Sequence, residues 1–219
     1  MQDHVRDSEK VWSDKIAQLR KRLDDVGCVF EFVSLIVDDD IGVHEEFHRR
    51  ALSELYEQIM DSQREWHGKL IQRVPVGDYP EPTMSWNISE AVGEQLSSEQ
   101  IRGLTRTEAN CAEPFSLYAD FCRPLFQLNI VGYAEDKQIL FLEWINVLGL
   151  LEHRDISVFS WVVGPWQQIK CVPDGHSLSA AWTDFFCLET KTEHVWCLTI
   201  WNSERRTLAA LAACSAGGT

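Results

Sequence analysis

The stretch from Ile41 to Leu70 constrains this chain more than any other. Val43, Phe47, Ala51, Leu55 and Ile59 recur every fourth residue, and Leu52, Tyr56, Trp66 and Leu70 fill the neighbouring row. That is the period of a helix with one apolar stripe. Asp38, Asp39 and Asp40 precede it, where a carboxylate accepts free backbone N–H groups and favours the positive end of the dipole; they read as a cap rather than a cation loop. Pro75 and Gly77 mark its stop. So long an amphipathic element needs a broad apolar layer to lie on.

Two parts of the chain can supply that layer. Cys28 to Val37 is almost continuously apolar, which suits a central strand or one with helices over it. Ahead of it, Ser8 to Val26 is an amphipathic helix with Trp12, Ile16, Leu19 and Leu23 on one stripe, closed by Gly27. From Leu125 onward β-branched and aromatic residues alternate with short polar breaks, predicting strands at 125–134, 138–146, 156–164, 181–190 and 194–202. Short breaks imply antiparallel neighbours. Ile139 to Leu151 is apolar at nearly every position and fits a buried helix equally well. Short helices are expected at 89–96 and from Ser97 or Ser98 through Leu104, and Ser203 is expected to cap a closing C-terminal helix on Leu208, Leu211 and the alanines.

The fold class that follows is α+β, with N-terminal helices, one of them long, packed on a mainly antiparallel sheet from the C-terminal half. A chain of 219 residues suits a single domain, 1–219. The proline-rich connector Val74 to Trp86 marks a possible subdivision into 1–74 and 87–214.

The long segment also carries chemistry. His44, Glu45 and His48 spell H-E-x-x-H, two imidazoles one helical turn apart with a carboxylate beside them, which can share a zinc ion and take a proton from metal-bound water. On these residues, and on Glu90 in Asn87-Ile88-Ser89-Glu90-Ala91, the chain resembles the gluzincin zinc peptidases. The resemblance covers about a dozen residues. It implies His44, His48 and Glu90 as zinc ligands and Glu45 as general base of a hydrolase. Glu46, Arg49 and Arg50 are charged where that family's helix is mostly uncharged, and one strand precedes the helix where the family has several. The competing reading is two histidines packed under a sheet and hydrogen-bonded to the protein itself.

Composition bears on the class of partner. Twenty basic residues face 34 acidic ones, a formal charge of −14. Such a chain repels phosphate backbones and suits a basic partner. Met1 to Lys10 is polar and no long apolar run occurs, so a cytoplasmic protein with no membrane span is expected. Seven cysteines without a C-x-x-C pair read as reduced thiols. Asp174-Gly175-His176-Ser177 reads as a turn, since neighbours in sequence rarely meet as a triad. Of nine tryptophans, Trp144, Trp161, Trp166, Trp182, Trp196 and Trp201 fall on or beside the proposed sheet; any left exposed among acids would anchor a protein partner. The sequence therefore points first to a non-enzymatic protein that binds a basic protein, of inhibitor or immunity type, with no cofactor. The alternatives are the zinc hydrolase and a small-ligand binder with a sheet-lined pocket.

Overall fold

A computed structural model describes residues 2–26, 28, 30–37, 44–74, 77, 79–107, 116–122, 137–151, 155–162, 182–186 and 192–216. Helix α1 spans Gln2–Asp25, strand β1 Glu31–Ile36 and helix α2 Glu45–Arg73. A 3-10 turn at Ile88–Glu90 leads to β2, Glu94–Gln95. Helices α3 (Ser98–Leu104), α4 (Leu117–Phe121) and α5 (Lys137–Val147) follow, then strands β3 (Ile156–Ser160), β4 (Thr192–Asn202) and β5 (Thr207–Ala216). The strands form one antiparallel sheet in the order β1-β5-β4-β3-β2, so the chain is of the α+β class. Among the described residues no helix is long and apolar enough to cross a membrane.

The sheet is covered on both faces, and the period-2 alternation of its strands sorts the core into two halves. Phe32, Val158, Trp196, Leu198, Ile200, Ala209 and Leu211 join α1, α3, α4 and α5 on one face. Val33, Phe159, Cys197, Trp201, Leu208, Ala210 and Ala212 join α2 on the other. Both faces of β5 are closed, since Leu208 to Ala213 are all 0% exposed.

That burial explains where the sequence reading fails. The expected C-terminal helix is strand β5, because an alanine-rich segment paired on both sides, β1 at Val33↔Ala210 and β4 at Thr199↔Ala210, puts small side chains where helices must approach closely. Intrinsic helix propensity is overridden by tertiary context. The segment expected as a strand at 138–146, or equally as a buried helix over 139–151, is helix α5. It ends on a Schellman motif: Leu150 N donates to Ile145 O, Gly149 N to Asn146 O, and Gly149 adopts φ +79. The expected helix at 89–96 is instead the 3-10 turn and β2. Among the described strands β1 lies at the edge of the sheet rather than centrally, and it has helices over both faces, the second form of that expectation. Residues 182–186 form turns with one bridge, Trp86↔Thr183. The strand expected at 125–134, the remainder of 181–190, Asp38 to Asp40 and the Asp174–Ser177 turn lie outside the described residues.

Other expectations hold. β3 and β4 fall where alternation placed them. α3 starts on Ser97 with a full capping box, Ser97 Oγ accepting from Gln100 N while Ser97 N donates to the Gln100 side chain. α2 starts four residues later than its period suggested, with His44 as an extended N-cap and Glu45 and Glu46 supplying negative charge in the first turn. Its buried residues run only from Phe47 to Met60. The last thirteen residues therefore line the edge of the molecule rather than its core.

Candidate functional site

The H-E-x-x-H residues part company in space. His44 is exposed at the N-cap, whereas His48, one turn on, is 0% exposed beneath the sheet. His48 Nδ1 lies 2.8 Å from Thr199 Oγ1, which also accepts from Trp161 Nε1 at 2.8 Å. An indole nitrogen can only donate, so the Thr199 oxygen accepts from Trp161, and the same hydroxyl holds the His48 ring through Nδ1. Among the described residues His48 Nε2 is buried without a hydrogen-bond partner, and burial pulls the imidazole down to about 4, keeping it neutral. Glu45 Oε1 accepts from Arg49 Nη2 at 2.7 Å. Arg49 also donates to Ile88 O and Ala91 O, tying the Glu90 turn to the start of α2, yet Glu90 itself is exposed. Among the described residues no three His, Cys, Asp or Glu side chains form a group able to hold a metal ion.

A different constellation stands at the edge of the sheet. α1 packs on one face and α2 on the other, so the outer edge of β1 lies in a groove between the two helices. Two adjoining clefts of about 330 Å³ each make up the groove and share Arg20 and Gln58. Six acids line it, Asp24 from α1, Glu31 from β1, and Glu54, Glu57, Asp61 and Glu65 from α2. Among the described residues its lining cations are Arg20 and Lys69. Lys69 pairs with Glu65 at 2.6 Å, and Asp61 pairs with Arg64 at 2.9 Å. Among the described residues Glu54 and Glu57 enter no ion pair.

The groove's electrostatics follow from its depth. Glu31 points to the α2 side of β1, and burial pushes its carboxyl up to about 7; Arg20 opposes this and Asp24 adds to it. Burial also raises Asp24, against the pull of Arg20. Arg20 is lowered by burial, with Glu31 and Asp24 opposing. Its Nη2 donates to Phe32 O, its guanidinium sits 5.1 Å from the centre of the Phe32 ring, and among the described residues its Nε is buried without a hydrogen-bond partner. Cys28, at the floor, is pushed up to about 12 by burial and so stays a thiol, unfit as a nucleophile near neutral pH.

Trp66 stands at the rim, 64% exposed. The tryptophans of the sheet do not serve as anchors, for Trp161, Trp182, Trp196 and Trp201 are all buried, as is Trp144 of α5. Trp166 lies outside the described residues. Among the described tryptophans the exposed one comes from the long helix, beside acids, and not from the sheet. The sequence did carry a signal for this site. Glu31 is the lone charge in the apolar run Cys28 to Val37, and a single acid on a strand covered by helices is a burial anomaly.

No protein-family model, no curated protein and no solved structure matches this chain.

Proposed function

We propose that the protein binds another protein of basic surface through the acidic groove between α1 and α2, in the manner of an inhibitor or immunity protein neutralising its target. The carrying observation is the six acids against two cations along the edge of β1, beside the exposed Trp66. A groove of one sign steers an oppositely charged partner and fixes its orientation. An indole at the rim supplies apolar contact area of the kind that dominates protein interfaces. The formal charge of −14 extends the attraction beyond the groove.

A photo-crosslinking residue at Gln58, in the full chain within its own cells, tests this. Capture of a basic protein there, lost in Glu54→Lys/Glu57→Lys, is the expected result. Capture that survives the charge reversal, or equal capture from a probe at Arg102 on the exposed face of α3, would refute the groove as the docking site.

A further inference from the structure

We infer that the basic partner anchors itself with one arginine, whose guanidinium enters the cleft between the end of α1, β1 and the second half of α2. This rests on the proposed role of the groove and specifies what occupies it. Four observations lead there.

First, the edge of β1 is blunted against strand addition. Arg20 donates to Phe32 O and the Trp12 indole to Ser34 O, so two successive outward carbonyls already have partners. A partner strand would find these acceptors taken, and recognition passes to side chains. Second, about 330 Å³ is near the lower end of ligand clefts, room for one long side chain and water but not for a helix. Third, the cleft is one positive charge short. Asp24, Glu31 and Glu65 line it against Arg20 and Lys69, and Lys69 is spent on Glu65. A single added cation balances the set. In the free protein a proton on Glu31 holds that place for part of the time at neutral pH.

Fourth, the walls already accept a guanidinium. Arg20 stacks on Phe32 and donates to the main chain within the same cleft, and Trp66 offers a second aromatic surface at its mouth. A planar guanidinium can stack on an indole while its fork donates to carboxylates, which a lysine ammonium cannot do. The incoming group would therefore lie against Trp66 with its N–H groups towards Glu31 and Asp24. When it does, Glu31 gives up its proton to solvent.

The test uses the full chain labelled with 15N and three capped pentapeptides, Gly-Gly-Arg-Gly-Gly and its lysine and citrulline counterparts. Citrulline keeps the shape of arginine and removes its charge. The arginine peptide is expected to shift the Trp66 indole N–H resonance, assigned through Trp66→Phe, and to bind about tenfold or more tightly than citrulline and several-fold better than lysine. At pH 8 Glu31→Gln is expected to weaken it by about tenfold, and calorimetry at pH 7 in buffers of different ionisation heat should show proton release that this variant lacks. Equal binding of arginine and citrulline, an unmoved Trp66 resonance, or proton release unchanged in Glu31→Gln would overturn the proposal. A polylysine chain of about 20 residues separates this from the broader reading. If polylysine binds and Glu54→Lys/Glu57→Lys releases it while the arginine peptide leaves Trp66 unmoved, the anchor is refuted and the acidic groove stands. If neither probe touches the groove, the anchor is refuted as well, and the crosslinking result decides the groove.

Discussion

Glu31→Gln is the sharpest perturbation available, because the amide keeps the shape of the side chain and removes only its ionisation. In the folded chain the carboxyl titrates at about 7 rather than its ordinary 4.5, chiefly because burial disfavours its charge. The folded state thus holds this proton more tightly than the unfolded chain. Below pH 4.5 both states are protonated and the carboxyl costs nothing. Between 4.5 and 7 the unfolded chain ionises while the folded one does not, and stability falls by about 1.4 kcal/mol per pH unit. Above 7 the loss is complete and comes to roughly 2–3 kcal/mol, allowing for some water in the cleft. Gln at this position should therefore leave stability near wild type at pH 4.5 and raise it by most of that amount at pH 8. Urea unfolding followed by tryptophan fluorescence, at several pH values for both proteins, reads the difference directly. A gap between variant and wild type that is the same at pH 4.5 and pH 8 would show that Glu31 is not held in a desolvated cleft.

His48 is expected to act with the opposite sign. Its folded value of about 4 against 6.5 means that stability is lost as pH falls from 6.5 to 4, by roughly 3 kcal/mol; His48→Asn should flatten that slope in the same unfolding assay. Because Nδ1 is committed to Thr199 and the ring is 0% exposed, zinc in modest excess should leave the thermal midpoint unchanged, and a rise of several degrees would refute this placement. Gly68 and Gly149 should respond in opposite directions. A Cβ at Gly68 in α2 meets nothing within 4 Å, so Gly68→Ala should stabilise by about 0.5–1 kcal/mol. At Gly149, φ +79 and a Cβ 3.1 Å from Asn202 Cβ predict a cost of about 2 kcal/mol for Gly149→Ala, read from the same denaturation curves.

The helices that lie on the surface were the easiest to read: α1 and α2 carry a clean period because each has a wet side, whereas β4, buried on both faces, was marked by its β-branched and aromatic residues. α5 and β5 were the difficult cases for a shared physical reason. Leu140, Phe141, Trp144, Ile145 and Val147 lie in one core and Leu208 to Ala213 touch two, so neither segment shows the alternation that separates helix from strand. The histidine motif was legible as a spacing, but spacing cannot say that α2 begins at Glu45 and leaves His44 outside it. The groove was nearly invisible for another reason. Its acids come from α1, β1 and α2, and only the pairing of β1 with β5 and the packing of a helix on each face bring Asp24, Glu31 and Glu65 to one cleft.

That assembly has an energetic consequence for binding. A carboxylate at Glu31 opposes folding near neutral pH, and the surplus of acids around it opposes any further negative charge. Packing of two apolar cores tolerates this penalty, which no contact within the described residues relieves in full: Arg20 lowers the Glu31 value but leaves it near 7. In the proposed complex a cation brought into the cleft offsets part of that penalty by attracting the carboxylate, and a tenfold preference for the charged group over its neutral isostere corresponds to about 1.4 kcal/mol. The same linkage makes affinity fall below pH 7, as the proton competes for Glu31. Glu54 and Glu57 keep their carboxylates in water, whereas Glu31 is sunk in the cleft; on the proposed reading that burial is what would convert charge into selectivity.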